Sequence, residues 1–347
     1  MKIISLFSGC GGLDLGFEKA GFKTVWANEY DKTIWDTFEY NFPETTLDRR
    51  SIVDVPSNDI PNDIDGIIGG SPCQSWSEAG AGRGINDARG KLFYEYIRIL
   101  NDKQPKFFLA ENVAGILFEK HAEAFNSILE SFDSVGYNVS FKLLNAKNYN
   151  VPQDRKRVII IGYHKSLGKK YTFPKPSKII PTLRDSIYDL RDIAAPALDK
   201  NKTNGHGMNI LNHEYMTGGW STIFMSRNRV RRWDQPSFTI QAGGRHAPIH
   251  PSAPQMEKVH KDKFIFKPGS ESLYRRMSMR ECARVQTFPD EHKFIYNALA
   301  DGYKMVGNAV PVNFAKALGE VIYQDLNSGV VRHIPKQRAN FEVLEYA

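Results

Sequence analysis

An apolar run at residues 3–7 breaks into Ser8-Gly9-Cys10-Gly11-Gly12, and a helix-periodic stretch at 13–20 and a second apolar run at 24–27 follow it. Strand, glycine turn, helix and strand in that order predict a βαβ unit, which commits a chain to parallel strands joined by helical crossovers. Further short apolar runs at 66–68, 107–110, 139–144 and 157–162 alternate with helical patterns at 30–42, 91–100 and 122–135. The expectation is a parallel, doubly wound α/β sheet that binds its ligands at the carboxyl ends of its strands.

The pattern changes after about residue 169. Pro174, Pro176, Pro181 and Pro196, many Asn and Gly, and short β-like runs such as 237–241 predict a second, smaller and irregular domain. A helical pattern at 311–325 resembles the first half again, so the chain is expected to return to its first domain. A length of 347 residues suits two domains, and 41% hydrophobic with 24% charged residues leaves material for a sizeable core, which excludes a disulfide miniprotein and global disorder. No stretch approaches the roughly 18 apolar residues of a membrane span, and the opening meets Gly and Asp too early for a signal peptide. A soluble, cytoplasmic protein is expected. Cys10, Cys73 and Cys282 are too few and too far apart for a disulfide framework or a zinc motif, so no metal site is expected.

The net charge of +7 suits a polyanionic partner without demanding one. Between residues 226 and 245 stand Arg227, Arg229, Arg231, Arg232 and Arg245, opposed only by Asp234; alone, such a run reads first as a solvated face.

Four groups carry candidate chemistry. The glycine turn permits a ligand to lie against the backbone at a helix N-terminus, and Glu29 sits just after the second strand, where an acidic side chain accepts hydrogen bonds from ribose hydroxyls. Tyr30 beside it either stacks on an adenine or caps a helix face. The turn lacks the third glycine of the G-x-G-x-x-G form, Asp14 standing among its positions, which disfavours a pyrophosphate cofactor and favours a smaller adenosine compound such as S-adenosylmethionine. Cys73 lies in Gly70-Ser71-Pro72-Cys73-Gln74-Ser75-Trp76-Ser77, just beyond the fourth strand; a lone Cys is more often a buried hydrophobe, but a polar, proline-stiffened loop favours a reactive thiol. The glycines at 80, 82, 84 and 90 that follow match a loop closing over substrate. Glu111 ends the fifth strand among apolar neighbours, as an acid or as a salt-bridged structural carboxylate. Gln153-Asp154-Arg155-Lys156-Arg157 reads as a surface turn, or as guanidinium forks that hold Glu111, a substrate carbonyl or a phosphate.

Taken in order, Phe7 to Gly12, Asn28-Glu29, Pro72-Cys73-Gln74, Arg89-Gly90-Lys91-Leu92-Phe93, Glu111-Asn112-Val113, Gln153 to Arg157, Arg280 to Gln286 and Gly307-Asn308-Ala309-Val310-Pro311 resemble the C5-cytosine DNA methyltransferase family over nearly the whole chain. The resemblance implies an S-adenosylmethionine-dependent methyltransferase fold divided into a catalytic and cofactor-binding domain at 1–184, a target-recognition domain at 185–301 and a return to the catalytic domain at 302–330. No role is readable for the tail at 331–347.

It also implies a mechanism. The Cys73 thiolate adds to C6 of a flipped-out cytosine in duplex DNA while Glu111 holds N3 and N4, and the enamine so formed takes the methyl of S-adenosylmethionine at C5. A base then removes the C5 proton and Cys73 leaves. Arg155 and Arg157 position base and phosphate. Phe7, Gly9, Gly11, Leu13, Glu29, Tyr30, Ser51, Ile52, Pro72, Leu92 and Asn308 line the cofactor site, and Gln74 and Ser77 touch DNA. Two departures stand out: Arg50-Ser51-Ile52 replaces the usual Gly-Asp-Ile, leaving the Ser51 hydroxyl to meet the adenine, and Ser71 replaces a common Pro or Gly. The segment at 221–231 with Gly244-Arg245 resembles the GGCC-specific, HaeIII-type branch, which makes Arg227, Arg229 and Arg245 the expected guanine readers, although His246-Ala247-Pro248 departs from it. A monomer is expected, with a cognate restriction endonuclease as a functional companion that does not bind stably. A DNA-binding protein on an inactive scaffold is opposed by intact Cys73, Glu111 and Asn308; a tRNA enzyme is opposed by the absence of a Cys-Phe-Thr signature, and a nicotinamide oxidoreductase by the incomplete glycine fingerprint.

Overall fold

The computed structural model describes residues 1–71, 92–204 and 208–328. Pro72, Cys73, Gln74, Ser77, the glycine-rich stretch at 78–90 and the tail at 331–347 lie outside the described residues.

Seven strands, β1 (Lys2–Leu6), β2 (Lys23–Asn28), β3 (Thr46–Asp48), β4 (Gly66–Gly69), β5 (Phe107–Val113), β6 (Tyr137–Asn145) and β7 (Lys156–His164), form one sheet in the order β3-β2-β1-β4-β5-β7-β6. Their uninterrupted apolar runs follow from burial on both faces. Ile4, Ile67, Phe108, Ala110 and Ile160 point into a cluster with α3 (Leu92–Lys103) and α4 (Ala122–Ser134). The intervening Ile3, Ile68, Phe107, Leu109, Ile159 and Ile161 point to the opposite face, against α1 (Gly12–Lys19) and α8 (Val312–Asn327).

The sheet departs from the wholly parallel one that the sequence pattern predicts. Strand β7 runs antiparallel to both β5 and β6. The physical reason lies in the connection from β6, residues 146–155, which holds one 3-10 turn, Ala146–Tyr149, and is too short for the dozen or more residues of a parallel crossover. A second correction concerns the helix expected at 30–42, which is confined to α2 (Trp35–Asn41). Asp31 accepts the backbone N–H and hydroxyl of Thr33, a local turn that competes with helix. The run at 237–241 supplies a single bridge, Ser237 to Gln153, rather than a strand.

Beyond β7 the chain is mostly irregular. Helices α5 (Leu183–Ile187), α6 (Met279–Val285) and α7 (Leu299–Asn308) share a third cluster with Met216, Ile240, Phe288 and Phe294, which also takes in Cys10 from the glycine turn. A fourth, small cluster of Phe224, Val230, Ile249, Ala253, Met256 and Tyr274 underlies the arginine-rich segment. The last helix described, α8, lies directly on α1. A Cβ at Gly16 would stand 2.4 Å from that of Ala315 and 2.7 Å from the Val312 carbonyl oxygen, and one at Gly12 would stand 2.4 Å from the Val310 oxygen.

Within α1, Asp14 is completely buried and its carboxylate oxygens have no hydrogen-bond partner among the described residues; the hydroxyls of Ser5 and Thr24 are the polar groups beside it. Burial pushes this carboxyl up to about 7. Because the unfolded chain has an ordinary value near ~4, the folded state holds the proton more tightly. Stability is then full below about pH 4, falls as pH rises towards 7 and is level above it. Asp14→Asn should remove this fall and be more stable at pH 8 by about 2–4 kcal/mol. Thermal unfolding of both proteins from pH 4 to 8 checks it; parallel curves would show that Asp14 does not titrate in that range.

Candidate active site and nucleic-acid interface

The turn after β1 winds through left-handed conformations at Phe7 (φ +55°), Gly9 (φ +56°) and Gly11 (φ +82°). Gly11 is required sterically, since a Cβ there would sit 2.1 Å from the Phe42 ring, whereas a Cβ at Gly9 would meet open space, so a ligand can approach the backbone at that point. Glu29 follows β2 and faces this turn: its Oε2 accepts the Gly9 N–H at 2.9 Å and its Oε1 the Asp31 N–H at 2.8 Å. Burial raises its carboxyl from the ordinary range, and each oxygen keeps a second lone pair for a ligand hydroxyl. Tyr30 beside it is 72% exposed.

At the end of β3 the Asn28 amide donates to the carbonyls of Asp48 and Arg50 and fixes Ser51 and the buried Ile52 beside the end of β2. Arg50, the unexpected residue here, pairs with Asp48 and Asp59 at 2.6 and 2.9 Å, so its charge is compensated on the surface. Asn308 closes α7, exposed, and the Ala309–Val310 backbone after it lies against Gly12. Phe7, Gly9, Gly11, Glu29, Tyr30, Ser51 and Ile52 therefore share the carboxyl edge of β1, β2 and β3, with Asn308 and the buried Leu13 flanking them; Leu92 opens α3 and packs on the first cluster. An open glycine turn beside a carboxylate with free lone pairs fits an adenosine cofactor without phosphates.

The reversal of β7 builds the second half of the edge. Its first residues meet the last residues of β5, with Arg157 opposite Val113 and Ile159 opposite Glu111. Glu111 and Arg157 are thus diagonal neighbours on one face. Arg157 Nε lies 2.8 Å from Glu111 Oε1, both side chains nearly buried. Glu111 Oε2 faces Gly70, where a Cβ would come within 3.1 Å of it. On the opposite face the Asn112 amide donates to the Ser71 hydroxyl at 3.2 Å and to its carbonyl at 3.4 Å, and its oxygen accepts the Val113 N–H, so the unexpected Ser71 is gripped by the residue next to Glu111. Sequence reasoning does not single out Asn112 or Ser71 for this contact; their adjacency to Glu111 and Pro72 is the only signal.

Arg155 is not brought to Glu111. It is 1% exposed and its guanidinium donates to the carbonyls of Ile240, Gly307 and Ala309, each at 3.0 Å.

At the arginine-rich segment a cavity of about 270 Å³ is lined by Asp154, Arg227, Arg229, Arg231, Phe238, Thr239, Gln241, His246 and Pro248. Arg227 is exposed. Arg229 is partly committed: Nε donates to the Phe224 carbonyl at 2.7 Å and Nη2 to that of Ile223 at 2.9 Å, and burial, then the neighbouring Arg227, lowers its guanidinium to about 10. Arg245 is exposed in the turn Gly244–His246 but does not line the cavity. Arg231, expected on a solvated face and not among the guanine readers, does line it. The spacing of 227, 229 and 231 is the signal for this, since alternate residues of an extended chain share a side; Arg232 pairs outward with Asp234.

The profile of the C-5 cytosine-specific DNA methylases matches residues 1–324. The chain is 58% identical over 329 residues to the Type II methyltransferase M.FnuDI of Fusobacterium nucleatum, covering 94% of this chain and 95% of that one. It is 57% identical over 330 residues to the Type II methyltransferase M.NgoPII of Neisseria gonorrhoeae, covering 94% and 96%. A crystal structure described as a prophage-encoded DNA modification methyltransferase of E. coli superposes with a TM-score of 0.72 at 26% identity, over 94% of this chain and all of that one.

The Glu111–Arg157 pair has a direct thermodynamic signature. Arg157→Leu leaves a nearly buried carboxylate without its cation and should cost about 3–5 kcal/mol of stability; adding Glu111→Gln should restore at least half. Urea denaturation of both single variants and the double variant checks this, and additive losses would mean that the pair is not coupled.

Proposed function

From the premise that the chain belongs to the C-5 cytosine-specific DNA methylase family, and is a DNA cytosine methyltransferase of restriction-modification type, we propose that it methylates a flipped-out cytosine in the duplex site GGCC through a covalent bond from Cys73 to C6. The observation that carries this reading is the Glu111–Arg157 pair at the end of β5, with one carboxylate oxygen held by the guanidinium and the other turned to Gly70, three residues before Cys73. Cytosine C5 is a weak nucleophile. Addition of a thiolate at C6 moves electron density to C5 as N3 takes a proton; in this reading Glu111 delivers that proton to N3 and accepts the N4 amino group, while Arg157 fixes its orientation and meets the base or the adjoining phosphate. S-adenosylmethionine supplies the methyl group when bound, and Phe7, Gly9, Gly11, Glu29, Ser51, Ile52 and Asn308 are the residues that would hold it. Loss of the C5 proton to a base then re-forms the C5–C6 double bond and releases Cys73.

The other two thiols support the assignment of Cys73. Cys10 and Cys282 are fully buried, and burial pushes both up, so neither offers a thiolate at neutral pH. Extruding the cytosine costs a few kcal/mol, and the loop at 78–90 closing on the base is the proposed compensation. In this reading residues 185–301 recognise the target, Arg227, Arg229 and Arg245 read guanines in the major groove, Gln74 and Ser77 contact the DNA, and Arg155 acts by bracing the recognition backbone. The GGCC assignment rests on the likeness of the segment at 221–231 to the HaeIII-type branch. The enzyme acts as a monomer in the cytoplasm.

Bisulfite sequencing of DNA from cells expressing the protein tests activity and site together; unmodified DNA would reject the reading, and modification at another sequence would reject GGCC alone. Cys73→Ser should lower methyl transfer at least about 10⁴-fold, the scale lost when a nucleophile is removed, while cofactor binding by calorimetry is kept. On duplexes carrying 5-fluorocytosine, from which no C5 proton can be lost, the wild type should form an adduct that peptide mapping places on Cys73. An adduct on Cys10 or Cys282 would overturn the scheme.

A further inference from the structure

Among the described residues that line the arginine cavity one is acidic, and it comes from the segment that leads into β7. Asp154 Oδ2 lies 3.8 Å from Arg231 Nη2, close enough for Coulombic attraction but too far for a hydrogen bond. Its backbone is fixed: the Asp154 N–H donates to the Ser237 carbonyl at 2.9 Å and the Asp154 carbonyl accepts the Thr239 hydroxyl at 2.6 Å. Oδ1 accepts the Asn145 amide at 2.6 Å, with Lys147 Nζ at 3.6 Å. Arg231 itself stacks over the Phe238 ring, 4.1 Å from its centre. The carboxylate is therefore an anchored negative charge inside a group of cations that would otherwise take any anion.

A guanine edge and a phosphate make different demands on such a cavity. The edge offers O6 and N7 acceptors and carries no charge; the phosphate is an anion. Three guanidiniums with no carboxylate beside them favour the phosphate, which every DNA sequence supplies. A fixed carboxylate reverses the preference, because it repels the anion and scarcely affects the neutral edge. We propose that Asp154 is a specificity-determining residue, whose carboxylate, held against Arg231, admits a guanine edge to the arginine cavity and penalises a phosphate. This rests on the reading of the protein as a site-specific DNA methyltransferase, and adds to it a residue outside the arginines that makes the choice.

The test compares wild type, Asp154→Asn and Asp154→Glu, each full length. Asparagine keeps an Oδ1 acceptor for Asn145 and removes only the charge. Dissociation constants are measured by fluorescence anisotropy on two duplexes, one bearing the site found by bisulfite sequencing and one lacking it, at two salt concentrations. Asp154→Asn should bind the site-free duplex about fivefold tighter and the site-bearing duplex less than about twofold tighter. The salt slope on the site-free duplex should steepen by about one. Asp154→Glu, which keeps the charge, should stay nearer to wild type. Equal tightening on both duplexes, or none, overturns the proposal. A wild type that shows neither methyl transfer nor preference between the duplexes overturns the functional reading first, and that result is seen without any variant.

Discussion

The guanidinium of Arg155 joins three stretches of chain that have no secondary structure in common: the entry to β7, the irregular backbone at Ile240, and the end of α7 at Gly307 with the link that follows at Ala309. Burying a charge is expensive, and the cost is offset only when its donors are used. Irregular backbone supplies the other side of the exchange, since its carbonyls lack the ladders that satisfy helices and strands. The same solution recurs at Arg276, which donates to the carbonyls of Met216, Gly218 and Gly219, and at Arg280, which donates to those of Leu211, Pro289 and His292. Gln153 adds to the joint by accepting the Ile240 N–H at 2.9 Å and donating to Gln286 at 2.8 Å.

This joint explains why one strand is reversed where the others are parallel. A parallel β7 would end at the edge where β5 ends and would begin far from it. Running the other way, it starts there, and within a few residues Arg155 ties down the backbone at Ile240 while Arg157 holds Glu111. The Glu111–Arg157 pair and the backbone at Ile240 are thus placed by the same short piece of chain.

The sheet was legible in the sequence because strands covered on both faces are unbroken apolar runs and their crossovers keep a helical period. Direction was not, since an apolar run reads the same either way; the shortness of the connection at 146–155 carried that information. The ends of the functional edge were legible because glycine turns and acidic residues after strands have few other uses, and Gly9 and Glu29 do meet. Arginine roles were the least legible. Arg155, Arg157 and Arg231 are chemically equivalent in the sequence, yet one is a buried brace, one is paired to Glu111 and one lines a cavity, and long-range partners decided each. Arg50 was likewise unreadable until Asp48 and Asp59 were seen to compensate it.

The contact of α8 with Gly12 and Gly16 has a consequence in time. The cover for the first helix of the protein is the last helix described, about 300 residues later, so a ribosome adding roughly 10 residues per second makes one about half a minute before the other. Through that interval Leu13 and Phe17 and one face of the sheet have no lid. A nascent chain therefore exposes the apolar floor of its own glycine turn until α8 has been made, and its folding depends on whatever shields that floor in the meantime.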